Sequence, residues 1–395
     1  MRWLRFAPVV LLIAVRVLFV GTVLDSPRAY NHGTAYEYDA ERYHRIADQS
    51  GIPHRDFEVE FPPVSLAYIE LVNGENVAET MQHLAWSAVV LDLLIAGALA
   101  YGWKRRAALY YLVLGLPFLV IPFVYFRIDL LSVALAIWGL ALVKRHREMT
   151  GGVFLALAAF AKFWPLGLVP LLLVRRARTA FVSCAIAGGV GALAWIAWAG
   201  VAGPEQVLTF RGATGWHFES VTGSVVRVVT GSELFQQSGA IRTGSSPAWA
   251  SALLGCALVG VVAATWWRTA RSGAVDDRTI DGIAPLVATT TFLVFSPVLS
   301  PQYLVWLLPF AAICWATGAR RLTALVAISV ILTMLLTQVY GELKAAELGA
   351  EALLLARNAV LVWVLVDGLG AIGGRRSVEL GVEAQRPAVR AMVAA

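Results

Sequence analysis

Seven carboxylates crowd into one short stretch of a chain that is otherwise 58% hydrophobic and only 15% charged. Glu37, Asp39, Glu41, Asp48, Asp56, Glu58 and Glu60 all fall within EYDAERYHRIADQSGIPHRDFEVEFPP. An ionised carboxylate held close to a hydroxyl is a general base. Asp39 is the first candidate, because it opens an amphipathic stretch in which Tyr43, Ile46 and Ala47 share a helical face. A carboxylate at a helix start is held in place and its charge is favoured there, so capping and chemistry are compatible roles. Glu60, beside Pro62 and Pro63, is the next candidate; the other carboxylates read as solvated face residues.

Isolated cations and donors lie further along. Arg127 and Asp129 sit in YFRIDL, where pairing with each other across a turn is the plain alternative to substrate binding. Lys162 sits in AFAKFWPL between two apolar half-helices, where snorkelling to a lipid headgroup is the alternative. His217 in GWHFES is a single loop histidine, for which a packing or surface role competes with a substrate role. In SPVLSPQYLVW, Pro297 and Pro301 interrupt helix and leave Ser300, Gln302 and Tyr303 as donors at a cavity edge.

The elements that position these groups follow from composition. Soluble domains carry about 25% charged residues and do not sustain apolar runs of roughly 20. With a mean hydropathy of +0.69, this chain reads as an all-α polytopic integral membrane protein. The pI near 9.4 reflects short basic clusters between apolar runs, the pattern that orients a membrane protein, so no nucleic-acid partner is expected. Cys184, Cys256 and Cys314 fall in apolar segments and form neither a disulfide framework nor a metal knuckle. No cofactor is implied, and a divalent metal is left open.

The clusters 104–106, 144–147, 175–178, 320–321 and 375–376, with Arg2 and Arg5, are expected on the cytoplasmic side, which places both termini there in a plasma membrane. Residues 3–24 then form a retained first helix, about 83–103 return, and 107–143 make a hairpin with Arg127 and Asp129 at its tip. The stretch 151–174 also has basic ends. Two helices of about 12 residues reach only ~18 Å each, less than the ~30 Å hydrocarbon core, so a short re-entrant hairpin with Lys162 at its tip is expected. Spans near 180–200, 248–267, 283–299, 303–319, 322–340 and 352–372 bring the total to about twelve membrane segments. The expected organisation is one membrane domain, 1–373, with external loops 26–82 and 201–247 and a short cytoplasmic tail, 374–395. The first loop is expected to hold amphipathic helices, the second of them after EFPP. Arg16 and Asp92 each lie about 8 residues, or ~12 Å, below the outer ends of their helices, so they are expected to pair.

This topology puts the acidic loop, the two tips, GWHFES and the Ser-Pro segment on one external face. An enzyme working there has no nucleotide-activated substrate and must draw on a lipid carrier. A sugar on a polyprenyl monophosphate leaves behind an anion that needs a nearby cation, and the acceptor hydroxyl needs a base. Asp39 suits the second role; Lys162 and Arg127 suit the first.

The order of EYDAERYHRIADQSGIPHRDFEVEFPPVSL, YFRIDLLSVALAIWGLAL, GGVFLALAAFAKFWPLGLVPLLLV and SPVLSPQYLVWLLP resembles the polyprenyl-phosphate-sugar-dependent glycosyltransferases of the C-type fold. It is most similar to glycosyltransferase family 87, the mycobacterial-type α-1,2-mannosyltransferases. The resemblance implies polyprenyl-phosphate-mannose as donor, a glycolipid or polysaccharide hydroxyl as acceptor, an α-linked product and an aspartate base matched by Asp39. It also matches Lys162 to a Lys-aromatic-Pro turn and Arg127 and Asp129 to a polar turn before the fourth helix. Some members carry histidines near the later Ser-Pro motif, where this chain has Gln302. A glycolipid transporter or flippase is the alternative; it would place polar groups near the midplane. An acyl- or phosphotransferase would need a nucleophile or a membrane-buried histidine, for which no constellation is visible.

Overall fold

The computed structural model describes residues 7–25, 36–120, 122–209, 212–273 and 276–373. Arg2, Arg5, Arg375, Arg376, the tail 374–395 and the side chain of Glu37 lie outside the described residues.

The long apolar runs form the helices that cross. Among the described residues six helices are long and apolar enough to span a membrane. They are α1 (Ala7–Asp25), α4 (Val77–Leu114), α8 (Arg178–Ala199), α11 (Ala248–Ser272), α14 (Arg320–Gln338) and α16 (Leu348–Gly373). The chain is thus a multi-pass membrane protein. The other apolar stretches are shorter pieces: α5 (Asp129–Lys144), α6 (Glu148–Ala161), α7 (Pro170–Val174), α12 (Ala284–Phe295) and α13 (Leu308–Ala316). Proline explains several of the breaks. Tight 3₁₀ turns at Trp164–Leu168 and Pro301–Trp306 each begin with proline in their first two positions and precede α7 and α13.

Helix α4 has 38 residues, roughly 57 Å if straight. It bends where Trp103 and Lys104 leave helical geometry, Lys104 at φ +72°, beside the basic triplet that interrupts the apolar pattern. Helices α5, α6 and α8 pack closely because glycine removes the side chains between them. A Cβ on Gly152 would stand 2.2 Å from the Ala180 carbonyl, and one on Gly151 2.7 Å from the Gly139 carbonyl. This packing fixes the end of α6, where Lys162 follows in extended conformation.

The first polar loop folds into two helices, α2 (Tyr36–Asp48) and α3 (Pro63–Val72). Helix α2 buries Asp39, Ala40 and Tyr43 while exposing Glu41, Arg45 and Asp48. Pro62 is extended and α3 starts at Pro63, a position whose missing N–H costs a helix nothing.

The all-α expectation needs one correction. The segment 201–247 holds α9 (Ala202–Leu208), α10 (Val221–Thr230) and a small antiparallel sheet of β1 (Trp216–His217), β2 (Leu234–Gln237) and β3 (Ala240–Thr243), in the order β1-β3-β2. The hairpin turn is Ser238-Gly239, both at positive φ (51° and 72°), as a tight two-residue turn requires. Its strands are too short and too polar to show as an alternating pattern. Between α14 and α16 lies the short helix α15 (Tyr340–Lys344).

Two charge networks tie the spans together. Arg16 Nε donates to Asp92 Oδ2 at 2.7 Å, the pair anticipated from matched depth; Tyr125 Oη donates to the same oxygen at 2.9 Å and Tyr111 to Asp92 Oδ1. Arg16 also donates to the Leu112 carbonyl at 2.7 Å, so both ions are satisfied in a buried site. At the basic ends, Asp281 accepts from Lys144 at 2.8 Å, from Trp103 at 2.7 Å and from Arg175. Asp281 lies in a π-helical turn, Arg278–Ile283, that leads into α12.

Candidate active site

Helix α5 runs from Asp129 to Lys144, roughly 24 Å, and so separates the basic ends from a cavity at the opposite end of the molecule. The cavity encloses about 520 Å³. Asp39, Glu60, Arg127, Asp129 and Lys162 line it, and so do His217, Gln302 and Tyr303. Stretches of chain far apart in sequence thus supply one wall system.

Asp39 is the fourth residue of α2 rather than its cap, and it is 4% exposed. Arg127 and Asp129 do not pair with each other. The turn before α5 points Arg127 toward α2, where its guanidinium is ion-paired with Asp39. Asp129, at the first position of α5, accepts from Lys162 and from Trp306 Nε1, the latter at 2.9 Å. Lys162 does not snorkel outward. Its ammonium lies 4.1 Å from the Tyr303 ring centroid and 5.0 Å from that of Trp306, an aromatic wall that itself attracts cations. Tyr303, Trp306 and Trp164 stack in series, with centroids 4.4 and 5.5 Å apart. Trp164 Nε1 donates to Ser132 at 3.0 Å, locking the tip that carries Lys162.

Burial pushes the Asp39 carboxyl above the ordinary aspartate range, against the opposing pull of Arg127 and Arg42. A carboxylate raised in this way is a better proton acceptor than a solvated one. Arg42 shares the cavity-facing side of α2 and is ion-paired with Glu60.

The small sheet closes the cavity from the other side. The His217 backbone N–H donates to the Pro297 carbonyl at 3.1 Å, joining β1 to the Ser-Pro segment. Its imidazole is 7% exposed, and burial together with Arg242 and Arg357 lowers its pKa to about 3, so it is neutral at physiological pH. Among the described residues His217 Nδ1 has no hydrogen-bond partner. Glu219, 3% exposed, is pushed up to about 7 by burial despite Arg357 and a hydrogen bond with Tyr340. The cavity therefore holds one group that stays neutral and one that titrates near neutrality.

Arg42, Glu219, Arg242, Tyr340, Lys344 and Trp306 also line the cavity and were not singled out by the sequence. Arg42, three residues after Asp39, was recoverable from helical spacing. Glu219 stood two residues from His217. Arg242, Tyr340 and Lys344 carried no local signal. Among the described residues no three His, Cys, Asp or Glu side chains group as a metal site.

The fold and the cavity define a multi-pass membrane protein with a buried, charge-lined pocket at one end, in which carboxylates and cations stand in pairs. The chain belongs to glycosyltransferase family 87, whose pattern matches residues 77–297, more than half of its 395 residues. It is accordingly a membrane glycosyltransferase, with a sugar donor and an acceptor as its partners. The matched region contains Arg127, Asp129, Lys162 and His217; Asp39 and Glu60 precede it, and Gln302 and Tyr303 follow it. No curated protein matches the chain.

Proposed function

We propose that this protein is an inverting α-mannosyltransferase of the mycobacterial type, with the C-type fold and about twelve membrane segments. It transfers mannose from a polyprenyl-phosphate carrier to a hydroxyl of a glycolipid or polysaccharide. The cavity faces the extracytoplasmic side of the plasma membrane and both termini are cytoplasmic, in keeping with the basic clusters at the other end. One observation carries the reading: Asp39, Arg127, Asp129 and Lys162 meet in one cavity, two carboxylates against two cations.

In the step itself the acceptor oxygen attacks the anomeric carbon while Asp39 takes the hydroxyl proton. The bond from that carbon to the phosphate oxygen breaks, and its electron pair leaves with the polyprenyl phosphate. Arg127 and Lys162 meet the departing phosphate, the charge that grows in the transition state. Gln302, Tyr303, Glu60 and His217 surround the sugar and supply hydrogen bonds to its hydroxyls.

The test incubates membranes containing the wild type or Asp39→Asn with radiolabelled polyprenyl-phosphate-mannose and a mycobacterial lipid extract, with glucose- and arabinose-loaded carriers in parallel. Label is expected in an alkali-stable glycolipid only with the wild type and only from the mannose donor. Equal incorporation by Asp39→Asn removes Asp39 as base, and preference for another carrier sugar removes mannose.

A further inference from the structure

A second pocket of about 600 Å³ opens at the basic end of the molecule, lined by Arg278, Arg320, Arg321, Trp363 and Asp367. Helix α14 measures its separation from the catalytic cavity. Arg320 begins that helix and Thr337, near its other end, lines the catalytic cavity, roughly 26 Å away at 1.5 Å per residue. The two pockets therefore sit near opposite faces of the hydrocarbon core.

The charges in this second pocket are unbalanced. Arg321 is paired with Asp367 at 3.0 Å. Arg278 and Arg320 have no ion-pair partner among the described residues, and Arg278 Nε is buried without a hydrogen-bond partner. Three guanidiniums against the single Asp367 carboxylate leave the lining net positive, so the site favours an anion that accepts from arginine N–H groups. The rim is apolar: Trp363 is 51% exposed and Val366 61% exposed, and Arg321 lies over the Trp363 ring at 5.8 Å. Arginines at the start of α14 with an exposed tryptophan on the neighbouring α16 match the composition found toward a membrane–water boundary.

We infer that this pocket binds the phosphodiester headgroup of an anionic glycerophospholipid, with Arg278 and Arg320 on the phosphate and an acyl chain along Trp363 and Val366. A zwitterionic headgroup carries an ammonium that faces the same arginines and is disfavoured. A free phosphate ester offers the same anion without the acyl chain, so it distinguishes lipid from soluble ligand.

The test titrates the purified full chain in neutral detergent with short-chain phosphatidylglycerol, short-chain phosphatidylcholine and glycerol 3-phosphate, following bound lipid by native mass spectrometry. Phosphatidylglycerol is expected to bind at least tenfold more tightly than phosphatidylcholine and about a hundredfold more tightly than glycerol 3-phosphate. The double variant Arg278→Gln, Arg320→Gln is expected to weaken phosphatidylglycerol about tenfold. Asp367→Asn, which removes the competing carboxylate, is expected to tighten it two- to threefold. Equal binding of the two lipids, or an unaffected double variant, overturns the assignment; glycerol 3-phosphate binding as tightly as the lipid makes the ligand a soluble anion and overturns it too. If the double variant fails to fold, Asp367→Asn decides: unchanged or weaker binding counts against the site.

Discussion

The guanidinium of Arg127 is ion-paired with the carboxylate of Asp39 at the cavity wall, joining the turn before α5 to helix α2. The pairing has a kinetic consequence. On the proposed function, an entering donor phosphate competes with Asp39 for Arg127 and in doing so frees the carboxylate proposed as base. Arg127→Ala is expected to lower kcat/KM by about 10²–10³-fold, with a rise in the donor KM. Asp39→Asn is expected to lower kcat and leave the donor KM within a few-fold. Steady-state kinetics with varied donor separate the two; matching losses confined to kcat in both variants contradict the division of roles.

Lys162 and Asp129 form the second pair, with Trp306 Nε1 on the same carboxylate oxygen. Removing one member of a buried pair costs more than removing both. Asp129 is 2% exposed while the Lys162 side chain is 18% exposed, so solvent screens part of the effect. Asp129→Asn is expected to destabilise by about 2 kcal/mol, and Asp129→Asn with Lys162→Met by less. Thermal unfolding in one detergent checks this; an additive double variant denies the pairing.

Two groups at the sheet side set opposing pH dependences. Glu219 is raised to about 7 in the folded chain, so folding retains a proton that the unfolded chain releases. Its burial therefore costs nothing at low pH, and stability declines as pH rises from the unfolded value toward about 7. His217 is lowered to about 3, so the unfolded chain gains a proton first, and stability declines as pH falls from the unfolded value of 6.5 toward about 3. Melting temperatures between pH 4 and 8 should show Glu219→Gln flattening the decline toward neutrality and His217→Gln flattening the acid decline. Parallel curves for wild type and Glu219→Gln would refute the first assignment.

The buried Arg16–Asp92 pair anchors α1 to α4 and, through Tyr125, to the segment that leads into Arg127. Arg16→Met leaves Asp92 buried without its counter-charge and is expected to cost about 3–5 kcal/mol. Arg16→Met with Asp92→Leu is expected to recover part of that. Detergent-solubilised melting curves decide it; a double variant less stable than Arg16→Met contradicts a mutual role.

Gly239 stands at φ +72°, and a Cβ there would lie 3.0 Å from the Arg42 guanidinium. Gly239→Ala is expected to cost about 1 kcal/mol for the backbone and to raise the substrate KM by disturbing the Arg42–Glu60 pair. Circular dichroism melting with donor kinetics tests both; unchanged values for each rule out the contact.

The multi-pass helical character was legible in the residues because it depends on local composition. Apolar runs, basic clusters, prolines and the isolated ions Arg127 and Lys162 each mark a span end or a tip without reference to the rest of the chain. Arg16 and Asp92 could be matched by depth for the same reason, since helical rise converts sequence distance into height. Partner choice was not legible. The nearest opposite charge in sequence to Arg127 is Asp129, yet Arg127 pairs with Asp39 and Asp129 with Lys162, because the lateral packing of α2, α5 and α6 sets which side chains meet. The sheet of 216–243 and the cavity residues Glu219, Arg242, Tyr340 and Lys344 were likewise decided only in three dimensions. Height along a membrane normal is encoded locally, residue by residue; proximity within the membrane plane is a property of packing, and it is proximity that turns these ions into a site.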